Sequence, residues 1–430
     1  MQPPRRAPLL RALRHRNYRL FFSGQSVSLV GTWITRIATL WLVYRLTGSA
    51  LLLGIVGFCG QIPTLLLAPF SGVLVDRWNR HRILVATQVL SMLQSLALAV
   101  LALAGIITVT EILVLQVAQG IINAFDTPAR QAFVIDMVEQ REEMPNAIAL
   151  NSSMVTGSRI IGPTIGGILI AAFGEGWCFM VDAISYLAVI ASLLAMHLAA
   201  ESARRGRRTS AIEELREGVR YVSGFAPART VLLLLALVST MGMPYMVLMP
   251  AVASGVLHGG PHTLGFLMTA SGVGALAGAM YLAARPSVLG LGRAIVIATA
   301  TFGVGLAAFA LSHTLWLSLA LLPIAGGGFM VQTASTNTIL QTIVDERLRG
   351  RVMAFYAMAF LGTAPIGSLV AGVVASRIGV QMTILLGGLA CVAGASWFAL
   401  RLPKLRAMIR PIYIERGIIP AGPSDSAPAI

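Results

Sequence analysis

Long apolar runs, interrupted by short polar or basic segments, dominate the chain from residue 20 to residue 400. Leu84–Ile107, Val231–Val256 and Leu315–Met330 with its flanks carry almost no charge. Each reaches the roughly 20 residues that a helix needs to cross about 30 Å of hydrocarbon. The pattern predicts spans near 20–44, 51–73, 83–105, 111–132, 148–173, 177–198, 229–253, 264–284, 294–312, 315–337, 352–376 and 381–400. The expected fold class is therefore an all-α membrane protein of twelve transmembrane helices.

Between the spans, arginine alternates from side to side. One set of loops carries Arg77, Arg80 and Arg82, then Arg141, Arg204–Arg208, Arg285 with Arg293, and Arg347–Arg351; the opposite set holds only Arg45 and Arg377. Basic loops stay on the cytoplasmic side of a membrane, which predicts both termini inside. The longest break, Glu201–Ala226, has Ile212, Leu215, Val219 and Val222 at helical spacing with charge between them. It reads as an amphipathic helix on the cytoplasmic face, joining two halves. The expected organisation is 1–19 as a cytoplasmic N-terminus, 20–198 and 229–400 as six-helix bundles, 199–228 as the linker and 401–430 as a cytoplasmic tail.

The halves resemble each other. Thr127–Val138 aligns with Thr333–Val344, and in each half a charged loop and then a glycine-punctuated helix follow (Gly162–Gly174 and Gly367–Gly379). A six-plus-six repeat is the mark of a secondary transporter whose halves rock about a central site.

Composition agrees with the membrane reading: of 430 residues, 56% are hydrophobic and only 11% charged, whereas a soluble domain has about a quarter charged. The net charge of +15 sits in inter-span loops and on no folded basic face, so it argues for membrane topology and against nucleic acid. Cys59, Cys178 and Cys391 are scattered in or beside apolar runs and read as small hydrophobes, with no metal or disulfide spacing. No metal and no cofactor are expected. The basic start leads into a run too long for a signal-peptide core, so the first helix is expected to be its own insertion signal.

Two motifs suggest mechanism. Between spans two and three stands Gly72-Val-Leu-Val-Asp76-Arg77-Trp-Asn-Arg80-His-Arg82. A carboxylate here can seat at a helix N-terminus of the other half, where free N–H groups and the helix dipole favour an anion. An ordinary cytoplasmic loop would account for the arginines but not for Gly72 and Asp76. The fifth span contains Ser158-Arg159-Ile-Ile-Gly162-Pro163-Thr-Ile-Gly166-Gly167. Its glycines let a neighbouring helix approach, and Pro163 bends the span; plain small-residue packing is the alternative.

The first motif resembles the signature loop of the major facilitator superfamily, with Asn79 where glycine is usual. Asparagine is expected to tolerate the left-handed conformation of such a turn. The second resembles the Gly-Pro-x-x-Gly-Gly motif of antiporters of that superfamily. Gly31-Thr-Trp33, Leu46-Thr-Gly-Ser49, Asp126-Thr-Pro-Ala-Arg130-Gln and Ala149-Leu-Asn151-Ser extend the likeness over residues 10–400, to the branch containing the enterobactin exporter and the transmembrane secretion effectors. The resemblance implies two pseudo-symmetric six-helix bundles and proton-linked export of small amphiphilic molecules, from siderophores to drugs. It also implies an inner-membrane monomer, and a gate built from Gly72, Asp76, Arg77, Arg80, Arg82, Asp126 and Arg130.

Charge inside a membrane is costly, so each intramembrane ionisable residue is a functional candidate. Arg159 falls near the midplane and Arg36 deeper toward the outside, on helices that line the cavity in that superfamily. Both serve either an anionic substrate or a structural pair. Gln61, Gln119, Asn123 and Gln332 add hydrogen-bonding groups, and Met243 and Tyr245 suit a tolerant apolar pocket. No acid occurs between Glu217 and Asp345, so a proton carrier must come from the first half. Asp126 and Asp182 are the candidates, the former as readily a partner of Arg77 or Arg130, the latter on a helix expected outside the cavity. A membrane enzyme, a receptor or scaffold without transport, and an importer of the same fold are the rival readings. No nucleophile or metal motif supports the first, and the lack of a Gly-x-x-x-x-Gly-Lys phosphate loop in this chain argues against a primary pump.

Overall fold

The computed structural model describes residues 11–137, 143–196, 211–285 and 287–420. Among them the chain is helical throughout and contains no strand. The elements are α1 (Arg16–Thr47), α2 (Ala50–Cys59), α3 (Ile62–Arg77), α4 (Arg80–Leu103), α5 (Val109–Asp136), α6 (Met144–Phe173), α7 (Glu175–Leu194), α8 (Ala211–Gly224), α9 (Ala226–Leu237), α10 (Tyr245–Ala251), α11 (Pro261–Ala283), α12 (Leu291–Ala310), α13 (Leu315–Ile343), α14 (Glu346–Ala357), α15 (Thr363–Ile378) and α16 (Val380–Glu415). Helices α2 and α3 follow each other as one bent rod. Helices α9 and α10, and likewise α14 and α15, are joined by π-helical turns at Val238–Gly242 and Met358–Gly362. Such turns loosen the i→i−4 ladder and are frequent where helices must bend.

Eleven stretches of the described residues are long and apolar enough to cross a membrane. Helix α5 is as long but less apolar, because Gln116, Gln119, Asn123 and Asp126 lie along it.

Local chemistry sets the breaks between helices. Gly48, in the left-handed region at φ 62°, returns its N–H to the Tyr44 carbonyl and ends α1. Ser49 then accepts from the Leu52 N–H to start α2, as N-cap residues do. Asn79 does not adopt the left-handed turn expected for it. At φ −66° and ψ 113° it is the N-cap of α4, its side chain accepting from the Arg82 N–H at 2.9 Å. Asparagine occupies the position because it caps.

Helix α1 packs on α6 and α7, α4 on α5 and α7, and α3 on α5. In the second half, α11 packs on α13, and α12 on α13 and α16. Between the two groups, α2 lies along α15 and α6 along α11. The linker helix α8 docks on α14: Glu217 pairs with Arg351 at 2.6 Å, and a Cβ at Gly218 would strike the Phe355 ring at 2.6 Å. The expected linker residues 201–210 lie outside the described residues. Helix α16 runs through Pro403 and Pro411 to Glu415, well past the expected end of the last span at 400.

Close approach between the groups depends on glycine. A Cβ at Gly54 would lie 2.5 Å from the Ser368 carbonyl and 2.8 Å from Gly372 Cα. A Cβ at Gly167 would lie 2.7 Å from the Pro261 carbonyl and 3.0 Å from Gly265 Cα. Both contacts are at the end of the molecule remote from α8. Nearer the linker end, Gly72, Gly157 and Gly350 have open space where a Cβ would stand.

Candidate substrate cavity

Polar side chains from the first group of helices converge on a cavity of about 180 Å³. Thr32, Thr35, Arg36 and Thr39 come from successive turns of α1. Gln116, Gln119 and Asn123 come from α5, with Gln94 and Ser95 of α4, Asp182 and Tyr186 of α7, and Gln61 at the α2–α3 break. Val247 of α10 closes one side, so the cavity abuts the second group. The amides are tied to one another and to the backbone. Gln119 donates to Ser91 Oγ at 3.2 Å and to Asn123 Oδ1 at 3.0 Å, and Gln61 donates to the Gly57 carbonyl at 3.2 Å.

Arg36 is surrounded by helices, yet much of its surface stays open to this cavity. Its guanidinium carbon lies 5.1 Å from the centroid of the Trp33 ring, and that of Arg159 lies 6.0 Å from the same centroid. Arg159 reaches from α6 toward α10, where Nη2 donates to Met246 Sδ at 3.8 Å, while its buried Nε has no partner. Among the described residues no carboxylate pairs with either arginine. A cation–π contact contributes about 0.5–2 kcal/mol, less than the several kcal/mol that charge burial takes. Two like charges around one indole leave the site short of an anion.

The two acids expected as proton carriers differ. Asp126 accepts from Gln88 Nε2 at 2.7 Å and Thr87 Oγ1 at 3.0 Å, and Arg130, one turn along α5, stands at 3.6 Å. Its charge is already compensated. Asp182 is 1% exposed and sits on the cavity wall, although the sequence places it on a helix outside the cavity. Among the described residues it has no cationic ion-pair partner. Ser95 donates to Oδ2 at 2.7 Å and Ser185 approaches Oδ1 at 3.4 Å, with Thr35 facing the same carboxylate.

Other expected positions fall elsewhere. Tyr245 is turned into the second half: its hydroxyl shares a 2.6 Å hydrogen bond with Ser271 and its ring packs edge-on against Phe302. Gln332 is fully buried in α13 and reaches only Thr336, at 3.4 Å. Met243 is half-buried at the break before α10. The backbone of Asp76 lies on the last turn of α3, but its side chain falls outside the described residues; Arg77 and Arg82 are exposed at that end, and Arg80 opens α4.

The glycines of the fifth span divide their work between two neighbours. Gly162 and Gly166 face α1, where a Cβ at Gly162 would meet Trp33 and one at Gly166 would come within 3.3 Å of Ile34 Cα. Gly167 faces α11, where Thr269 Oγ1 also reaches Thr164 Oγ1 at 2.6 Å and the Ile160 carbonyl at 3.1 Å. Pro163 lies inside α6, and its carbonyl would be 2.6 Å from a Cβ at Gly265. The motif therefore sets Trp33 beside the arginines and closes one seam between the groups.

Comparison with known proteins gives the same architecture. The staphyloferrin A transporter of Staphylococcus aureus is 27% identical over 390 residues, covering 90% of this chain and 97% of that protein. The multidrug efflux pump Tap of Mycolicibacterium fortuitum is 28% identical over 395 residues, covering 90% and 92%. Among solved structures, a POT family transporter superposes with a TM-score of 0.71 at 11% identity, covering 91% of this chain and 96% of that one. A bacterial homologue of the lysosomal transporter Spinster, in an inward-facing conformation, gives 0.68 at 14% identity over 93% and 98%. The profile of the transmembrane secretion effectors matches residues 7–412. With that match over nearly its whole length, the chain belongs to the transmembrane secretion effector family of the major facilitator superfamily.

Proposed function

We propose that the protein is a secondary-active exporter of small amphiphilic molecules, anionic or rich in hydrogen-bonding groups, working by alternating access and proton antiport. The observation that carries the reading is the Arg36–Trp33–Arg159 group, two intramembrane cations with no ion-paired carboxylate among the described residues, beside an amide-lined cavity. The names of the relatives, a siderophore transporter and a drug efflux pump, support small-molecule export. The glycine seams at the end remote from the linker, with open space at Gly72, Gly157 and Gly350, fit a state closed outside and open inside. On this reading the protein acts as a monomer in the inner membrane, by transport and without catalysis. The test uses inside-out membrane vesicles with carboxyfluorescein as an anionic probe and ethidium as a cationic one. Preferential accumulation of the anion is expected; equal or reversed preference would count against the site.

The topology follows from the arginine distribution. Reporter fusions at both termini and within 201–226 are expected to report a cytoplasmic location, and an external linker would end the twelve-span arrangement.

Asp76→Ala is expected to leave insertion and expression intact while impairing export, because the likeness of Gly72–Arg82 to the superfamily's signature loop makes its carboxylate a gate group. Wild-type export by a well-expressed variant would remove Asp76 from the gate.

A further inference from the structure

We propose that Asp182 is the group that binds and releases the coupling proton, reached through the polar cavity of the first half. The inference rests on the reading of the protein as a proton-coupled exporter and names the residue that reading lacks. Three observations support it.

First, Asp182 is an intramembrane carboxyl, 1% exposed, with no ion-pair partner among the described residues. Its donors are neutral hydroxyls: Ser95 at 2.7 Å and Ser185 at 3.4 Å, with Thr35 alongside but outside hydrogen-bond geometry. An ionised carboxylate in such a place is strongly disfavoured, and a bound proton removes the charge. Asp126 has no such need, since Arg130, Gln88 and Thr87 already hold it.

Second, the carboxyl has a route. It lies on the wall of the 180 Å³ cavity, which has room for several waters among polar side chains. Gln94 and Gln119 line the same space, and Val247 places it against the second half. A proton passes from water in this cavity to an Asp182 oxygen, giving the neutral acid, and returns to water by the reverse step.

Third, the backbone makes room for this carboxyl. A Cβ at Gly31 of α1 would sit 2.6 Å from Asp182 Oδ1, so only glycine lets the acid press against α1.

The ionisable groups around it are few. On α1 the nearest is Arg36, which shares the cavity and makes no ion pair with Asp182; Arg45, further along, is held by Glu175 at 2.7 Å. Its own helix contributes Tyr186, Cys178 and that same Glu175. Helix α5 contributes Asp126 beyond the cavity. Helix α4 presents only Ser and Gln here, its ionisable residues being at its far end, and α6 offers Arg159 on the far side of Trp33. Nothing ties the carboxylate permanently in its charged form.

The decisive measurement is infrared difference spectroscopy against pH on the purified protein in phosphatidylethanolamine–phosphatidylglycerol vesicles. A buried protonated-carboxyl stretch is expected in wild type and in Asp126→Asn, and its loss is expected in Asp182→Asn. Persistence of the band in Asp182→Asn overturns the proposal. If Asp182→Asn is not recovered from membranes, Ser95→Ala decides, because removal of a donor to the carboxyl shifts the band; an unmoved band overturns the proposal equally.

Transport supplies the second readout. Asp182→Asn is expected to lose accumulation of carboxyfluorescein driven by a pH gradient, and Asp182→Glu to regain part of it. Accumulation at the wild-type level in Asp182→Asn, or a drive that follows sodium at fixed pH, sinks the assignment. Absence of carboxyfluorescein transport in wild type counts against the anion-exporter reading and leaves the infrared result to judge Asp182.

Discussion

Arg159→Gln is expected to lower transport of the anionic probe at least about 30-fold, the effect of losing roughly 2 kcal/mol from a buried charge interaction. The loss should be smaller for ethidium, whose charge has nothing to gain from the arginine. Arg159→Lys should fall between, because lysine keeps the charge but loses the planar guanidinium that stacks on an aromatic face. The geometry gives the reason for the size: the guanidinium lies 6.0 Å from the Trp33 centroid, its Nε has no partner, and Arg36 shares the same indole. No described carboxylate is available to take the place of a substrate anion. Initial rates of carboxyfluorescein uptake into inside-out vesicles, normalised to protein in the membrane, check the ranking. Equal rates in wild type and both variants would leave the cation without a role in substrate charge.

Gly167→Val is expected to stall the cycle without preventing insertion. The added Cβ would lie 2.7 Å from the Pro261 carbonyl and 3.0 Å from Gly265 Cα, both backbone, so α6 and α11 must separate. Overpacking of this kind costs about 1–3 kcal/mol. Because the clash exists only where the seam is closed, the whole penalty shifts the balance between states, roughly 5–150-fold. Transport should fall accordingly, and a cysteine introduced at Thr164, which now faces Thr269 in the seam, should become more reactive toward an impermeant maleimide added outside. Unchanged labelling together with normal transport would mean that this contact is not a moving seam.

The membrane character of the chain could be read from one dimension. A run of about 20 apolar residues must cross or be buried wherever it occurs, and arginine placement depends only on loop order. The lower hydropathy of α5 was the one place where that signal weakened, and the structure gives the cause: its amides face a cavity instead of lipid. The resemblance of Gly162–Gly167 and Gly72–Arg82 to superfamily motifs led to the family as well, since short motifs survive in a single sequence. Which neighbour each glycine touches did not follow. Gly162 and Gly167 are five residues apart and face different helices, α1 and α11, a division that depends on where those helices stand.

The polar cavity was half legible. Thr32, Thr35, Arg36 and Thr39 on α1, Gln116, Gln119 and Asn123 on α5, and Gln88, Ser91, Gln94 and Ser95 on α4 recur at three- and four-residue spacing. Such polar stripes on apolar helices mark a face turned from lipid, and attention to them would have added Gln94, Gln116 and Thr35 to the expected lining. A stripe tells which side of a helix is polar, not which stripes meet. Tyr245 and Gln332 have the same chemistry as the lining residues, yet both are consumed inside the second half, by Ser271 and Thr336. Asp182 shows the opposite case, an acid on a helix expected outside the cavity that packing against α1 and α4 brings onto its wall. Hydropathy and charge order depend on neighbours along the chain and survive in sequence; the partner of a buried polar group depends on residues tens or hundreds of positions away, and only the packed helices decide it.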